Sequence, residues 1–175
     1  MPISIAGSGT ITGISAGGLP DDCITTADIA AGAVTPAKTT GGPAFSAYQS
    51  SAHSATNGVN TKVQFQTEQF DTANCFDSAT NYRFTPNVAG YYQVNAAVAQ
   101  VTASQTELAL YLFKNGSAAR LLQNNITPAA RQVAGSTLIY MNGSTDYLEI
   151  YIYTSITSNL ATGSTWFDGF LARPA

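Results

Sequence analysis

YRFTPNVAGYYQVNAAVAQV, residues 82–101, is the stretch on which the fold turns. Side chains alternate with period two in a strand. After Pro86 and Gly90 have turned the chain, Tyr92, Val94, Ala96 and Val98 therefore share one side, and Tyr91, Gln93, Asn95 and Ala97 share the other. A long half-buried strand is expected here.

Downstream, ELALYLFKNG puts Leu108, Leu110 and Leu112 on one face and Ala109, Tyr111 and Phe113 on the other. It ends in Asn115-Gly116, the dipeptide preferred by a type I′ hairpin. Residues 135–141 read as another strand, Asn142-Gly143 as a turn, DYLEIYIYTS as a further alternation and WFDGFLA as a closing strand. Upstream, AFSAYQ and TKVQFQTEQF alternate, and DTANCFDSATN is a turn-rich connection. Strands at this spacing, with Gly and Asn turns and no helical period, predict an all-β antiparallel sandwich or barrel.

Residues 1–43 differ. Ile3, Ile5, Ile11, Ile14, Leu19, Ile24, Ile29 and Val34 are diluted by Gly, Ser, Thr and Ala, so no window supplies enough apolar area to offset the entropy of ordering it. Thr25 or Thr26 can cap a short helix ending at Gly32, but one or two turns need outside support. The segment is expected to be an irregular stem that orders against copies of itself or a partner, with Ile24, Ile29 and Val34 as its attachment residues. Thr39-Thr40-Gly41-Gly42-Pro43 marks the boundary with a domain over residues 44–175.

A chain of 175 residues suits one domain plus an appendage, and only 10% of it is charged. Its net charge of −3 offers no basic stripe for phosphates, so no nucleic-acid partner is expected. No apolar run reaches the roughly 18 residues that span a bilayer, and the N-terminus lacks a basic and apolar leader. Neither membrane insertion nor export is expected. Cys23 and Cys75 fall in different regions and are expected to be free thiols, with a bridge within or between chains as the alternative.

The strand rows are apolar on both sides. Leu148, Ile150 and Ile152 oppose Tyr147, Glu149, Tyr151 and Tyr153, while Tyr91 and Tyr111 oppose rows assigned to the core. A sandwich has one inner face per sheet, so the second row needs another cover. Tyrosine suits a subunit contact because it brings area with a polar tip. Assembly is expected.

AFSA near Phe45, RFTPNVAGYYQV, LYLFKNG ending at Gly116, the strand opening at Asp146 and FDGFLA at residues 167–172 resemble successive strand signatures of the C1q head domain, within the C1q/TNF-like superfamily. The resemblance covers residues 44–175. It implies a ten-strand jelly-roll sandwich assembled as a homotrimer about a threefold axis, with Tyr92 and Val94 in the core and Tyr91 and Gln93 approaching the axis. Tyr111, Tyr151 and Tyr153 complete the expected trimer interface. The larger side chain usual at the place of Val94 is absent, and so is the collagen stalk of animal members. In the stalk's place, GSGTITGISAGGLPDDCITTADIAAGAVTPAKTT resembles connecting segments of phage tail fibre proteins.

Chemistry is sparse. His53 sits in SSAHSATNG with no G-x-S-x-G nucleophile elbow elsewhere, and Glu68, Glu107 and Glu149 show no spacing that pairs them for glycoside hydrolysis. GSG at Gly7 and AGG at Ala16 lack the lysine of a phosphate loop. Asp71, Asn74 and Asp77 form the one candidate calcium cluster, a property that the resemblance allows, although turn chemistry explains the same residues. Asn115, Asn125 and Asn142 stand in N-x-S/T sequons. No cofactor is expected.

The expected function is therefore a non-enzymatic virion structural protein, a trimeric tail fibre or fibre tip, extracellular when assembled. Its N-terminal segment would hold other virion proteins. Loops at residues 50–60, 117–132 and 155–164, rich in Ser, Thr, Asn and Gln, would bind host-surface carbohydrate. The alternatives are a head fibre or capsid decoration protein of the same fold, and a surface polysaccharide depolymerase.

Overall fold

The structure is a computed structural model that describes residues 41–175 apart from Ala103. The expected short helix, Cys23 and the attachment residues Ile24, Ile29 and Val34 lie outside the described residues.

Thirteen strands follow one another in the described chain: β1 (Ala44–Tyr48), β2 (Ser54–Ala55), β3 (Thr61–Lys62), β4 (Thr67–Asp71), β5 (Phe76–Asp77), β6 (Arg83–Phe84), β7 (Gly90–Ala99), β8 (Leu108–Lys114), β9 (Ser117–Asn125), β10 (Gln132–Met141), β11 (Leu148–Thr154), β12 (Ser158–Asn159) and β13 (Trp166–Pro174). The first sheet runs β10-β7-β13-β1-β4. The second runs β5-β6-β11-β8-β9 with β3 beside β11, and β12 pairs β2 apart from both. Every strand pairing is antiparallel, and no helix occurs among the described residues. This is the jelly-roll sandwich expected, with short strand pieces raising the count above ten.

Strand β7 pairs with β10 on one side and β13 on the other, and its inward row Tyr92, Val94, Ala96 and Val98 is fully buried. The inward rows of β8 (Leu108, Leu110, Leu112) and β11 (Leu148, Ile150, Ile152) meet it from the second sheet. Between the sheets lies an aromatic stack. The ring of Phe45 packs face to face on Phe84 at 4.3 Å and Phe76 at 5.0 Å, and edge-on to Phe167 at 4.9 Å. Each such pair contributes about 0.5–1.5 kcal/mol beyond the area it buries.

The run TKVQFQTEQF reads as one strand but serves two sheets. Thr61 and Lys62 pair with β11, residues 67–71 pair with β1, and Val63 and Phe65 are buried in the crossover. Likewise, residues 117–125, expected within an exposed loop, form β9. Its register against β8 shifts twice, between Leu110 and Tyr111 and between Leu112 and Phe113, which erases the period of two that would have revealed it.

The turns at the end where the described chain enters are tied by one polar network. Asn115 and Gly116 both have positive φ, 53° and 78°, as a type I′ turn requires. Asn115 Nδ2 donates to Asp146 Oδ1 at 2.7 Å, Lys114 Nζ meets Asp146 Oδ2 at 2.7 Å, and the Asn142 N–H donates to the same oxygen at 2.9 Å. Burial alone would raise the Asp146 carboxyl, but these donors outweigh it and hold the group below the ordinary aspartate value. Asn142 Oδ1 in turn accepts from the backbone N–H groups of Ser144, Thr145 and Asp146. Asn115 and Asn142 thus serve this network, and the third sequon asparagine, Asn125, accepts from the Thr127 N–H at 2.9 Å.

Candidate functional site

Connecting segments gather at the end of the sandwich away from residues 41–44. The backbone there is laced across the sheets: Gln49 N–H donates to Thr165 O, Gln100 N–H to Arg131 O, Val101 N–H to Asn159 O, Ala129 N–H to Gln105 O, Ser155 N–H to Glu107 O and Leu160 N–H to His53 O. Two of the expected binding loops, residues 50–60 and 155–164, are thereby joined through β2 and β12. Only residues 126–131 of the third loop reach this end as a connection, since 117–125 form β9 and Gln132 opens β10. Segment 101–107, which the sequence did not single out, completes the surface.

The outward residues of this end include Asn57, Thr102, Ser104, Thr157, Asn159 and Thr162. The segments contribute few ionisable groups, namely His53, Glu107 and Arg131. Such a surface offers mainly neutral hydrogen-bonding groups, beside the exposed Val59, Val101 and Ile126. Beneath it, Gln49, Gln100 and Gln105 are buried together with Thr154 and Thr165. Gln49 Nε2 donates to Leu160 O at 3.1 Å and Thr154 Oγ1 meets Gln100 Oε1 at 3.4 Å, yet Gln49 Oε1, Gln100 Nε2 and both amide atoms of Gln105 have no hydrogen-bond partner among the described residues. Buried polar atoms are nearly always paired, so this end carries polar capacity in excess of what packing needs.

A second candidate surface is the outward side of the first sheet. The strand registers place Tyr140, Tyr91 and Arg173 in one row, Leu138, Gln93, Phe170 and Ala44 in the next, and Ser136, Asn95, Asp168, Ser46 and Phe70 in a third. Five large apolar side chains on this side remain 43–52% exposed: Phe70, Tyr91, Leu138, Tyr140 and Phe170. Tyr91 and Tyr140 rings sit 5.6 Å apart. Isolated exposed apolar residues are ordinary, but a contiguous set marks an interaction surface.

Of the expected interface residues, only Tyr91 and Gln93 belong to this surface. Tyr111, Tyr151 and Tyr153 lie on the outward side of the second sheet, at registers Tyr151 to Tyr111 and Tyr153 to Ala109. That side is partly covered by its own chain. Tyr151 stacks on Phe113 at 3.9 Å, Arg83 lies 4.3 Å over the Tyr147 ring, and Glu149 is only 4% exposed because Lys62 Nζ meets its Oε1 at 2.7 Å. The structure thus divides the expected set between opposite faces.

The calcium candidates are turned into local turns. Asp71 Oδ1 accepts from Ala73 N–H and its Oδ2 from Phe76 N–H at 2.7 Å. Asp77 takes the N–H groups of Ala79, Thr80 and Asn81 and the Asn81 amide, bonds that lower its carboxyl pKa, that from Thr80 most. Asn74 is exposed in a left-handed conformation, φ 53°. No group of three His, Cys, Asp or Glu side chains is placed to hold a metal among the described residues.

His53 is half-buried rather than solvated, its Nε2 lying 2.8 Å from the Lys62 carbonyl. Each glutamate has a different partner: Ser78 for Glu68, Asn124 for Glu107 and Lys62 for Glu149. The Cys75 thiol is buried, which pushes its pKa up, and it donates to Ala73 O at 3.4 Å.

Comparison with known proteins follows the same lines. The family model of the C1q domain matches residues 44–172. Among solved structures, the globular domain of zebrafish complement 1qA protein is similar at 20% identity and a TM-score of 0.56, over 76% of this chain and 99% of that one. The Eiger TNF of S. frugiperda is similar at 8% identity and a TM-score of 0.53, over 76% and 92%. Murine APRIL is similar at 13% identity and a TM-score of 0.54, over 73% and 96%. No curated protein matches.

Proposed function

The chain belongs to the C1q domain family, and from that premise we propose that it is a non-enzymatic attachment protein of a virion, built as a homotrimer. The observation that carries the assembly is the outward side of the first sheet, where Phe70, Tyr91, Leu138, Tyr140 and Phe170 stand together in water. Docking against other copies removes that apolar area from solvent at about 25 cal/mol per Å². A closed threefold ring is heterologous, so each copy offers two different patches. The exposed Leu121 and Ile126 of the β9 side supply apolar area for the second.

The virion setting is supported by the N-terminal wording, ITTADIAAGAVTPAK, which resembles connecting segments of tail fibres. On this reading residues 1–43 are the stem, fixed to another structural protein through Ile24, Ile29 and Val34. The neutral loop end, at the far end of the domain from residues 41–44, faces the host surface and binds carbohydrate hydroxyls. Three copies bring three such ends together, so weak sites act as one when geometry lets them engage together.

Adsorption competition tests this. The purified full chain is expected to block adsorption of the particle that carries it and to bind isolated host polysaccharide without shortening it. Shortened polysaccharide would make the protein a depolymerase. Absence of both competition and binding, with the chain located on the capsid by imaging, would make it a decoration protein.

A further inference from the structure

The outward side of the first sheet carries one carboxylate at its centre. Asp168 stands in register with Asn95 of β7 and Ser46 of β1, and beyond them with Ser136 and Phe70. Leu138, Gln93, Phe170 and Ala44 form the row on one side; Ala134, Ala97, Trp166 and Tyr48 form the row on the other. The residues around it are Ser46, Tyr48, Gln69, Phe70, Asn95, Trp166 and Phe170, with no Lys, Arg or His among them. Glu68 and Asp71 of the neighbouring β4 are engaged elsewhere, with Ser78 and with the turn at residues 73–76. Arg173 sits beside Tyr91, two rows away. Among the described residues, Asp168 has no counter-charge.

With the Gln69 amide oxygen turned toward Ser46, the hydrogen bonding of Asp168 is one proton short. Ser46 Oγ lies 2.8 Å from Asp168 Oδ1 and 3.1 Å from Gln69 Oε1. A serine hydroxyl has one proton and cannot donate to both acceptors at once. If the carboxyl carries a proton, it donates to Ser46 Oγ and the Ser46 hydroxyl donates to Gln69. Both contacts of Ser46 Oγ then hold a proton.

We infer that Asp168 makes self-association through this face proton-linked, so that docked chains hold it as the neutral acid and assembly takes up protons. The inference rests on the threefold assembly proposed above. Burial already raises the Asp168 carboxyl above its ordinary value, against the opposing hydrogen bond from Ser46. Docking strips the remaining water, and no cation of its own sheet stands beside Asp168 to offset that loss, which favours the uncharged form further. The sign follows from linkage. A group whose value is higher in the assembled state strengthens assembly below its free value, and the gain is lost as pH rises through the assembled value. Each unit of that rise multiplies the association constant about tenfold per chain, about a thousandfold for three.

The test is sedimentation equilibrium of the full chain and of Asp168→Asn at pH 4.5, 6 and 8. The amide of Asn can donate to Ser46 as the protonated acid would. Wild type is expected to associate at least tenfold more tightly at pH 4.5 than at pH 8, and Asp168→Asn to associate tightly at all three with that dependence removed. A trimer with the same pH profile in both proteins overturns the proton link and leaves the assembly standing; a single chain at every pH removes the assembly itself. Should Asp168→Asn fail to fold, the protonated-carboxyl infrared band of wild type decides. It must be stronger in the assembled sample than in the dissociated one at the same pH, and equal intensity overturns the inference.

Discussion

Gly143 shows how little latitude a single position has in this fold. It adopts φ 70°, and a Cβ added there would stand 2.2 Å from Ala89 N and 2.4 Å from Val88 C, both backbone atoms that cannot swing aside. Gly58 has the same φ of 70°, but a Cβ there would meet nothing within 4 Å. The pair separates two costs that usually come together. Gly58→Ala carries only the left-handed backbone term, about 1–2 kcal/mol. Gly143→Ala adds overpacking against fixed backbone and is expected to cost roughly 2–5 kcal/mol in all. Urea unfolding of the two variants measures the difference. Equal losses would mean that the turn at residues 142–147 relaxes away from residues 88–89.

At the scale of elements, the β7–β8 connection stands apart because it buries polar groups without satisfying them. Gln105 is fully buried and neither amide atom has a partner among the described residues. Each such atom costs about 1–3 kcal/mol relative to a paired one. Gln105→Met keeps the length and removes both, so it is expected to raise the midpoint of thermal unfolding. A lowered midpoint would show that the amide is satisfied in solution.

The elements also show where sequence and structure part. β7, β10 and β11 were legible because an apolar row alternates against a second row along their length, and the buried Tyr92 and Val94 sit where the period of two placed them. The division of residues 61–71 between two sheets was not legible, since Val63 and Phe65 keep alternating through the crossover. Nor was β9, whose adjacent Leu121 and Leu122 and two register shifts hide its period. Of the candidate surfaces, the outward row of β7 was visible in Tyr91 and Gln93. Its companions Leu138, Phe170 and Phe70 come from strands 45, 77 and 23 residues away by number, and only the registers reveal that they share a face. Cover on the opposite face was equally hidden, because Lys62 reaches Glu149 across 87 positions of sequence.

Taken whole, the described domain is a sandwich whose two outward sides are unlike. The second sheet quenches its own aromatics through stacking and a partly buried ion pair, whereas the first leaves five large apolar side chains half in water. The proposed trimer uses the first, met by the β9 edge of a neighbouring copy. A charge placed there should prevent assembly, while a charge on the second sheet tests whether that side takes part as well. Sedimentation equilibrium of wild type, Leu138→Asp and Tyr151→Asp at micromolar concentration and pH 6 therefore bears most directly on the central claim. The account predicts three chains per particle for wild type and for Tyr151→Asp, and one for a folded Leu138→Asp. Wild type sedimenting as a single folded chain, or Leu138→Asp remaining fully assembled, would contradict it.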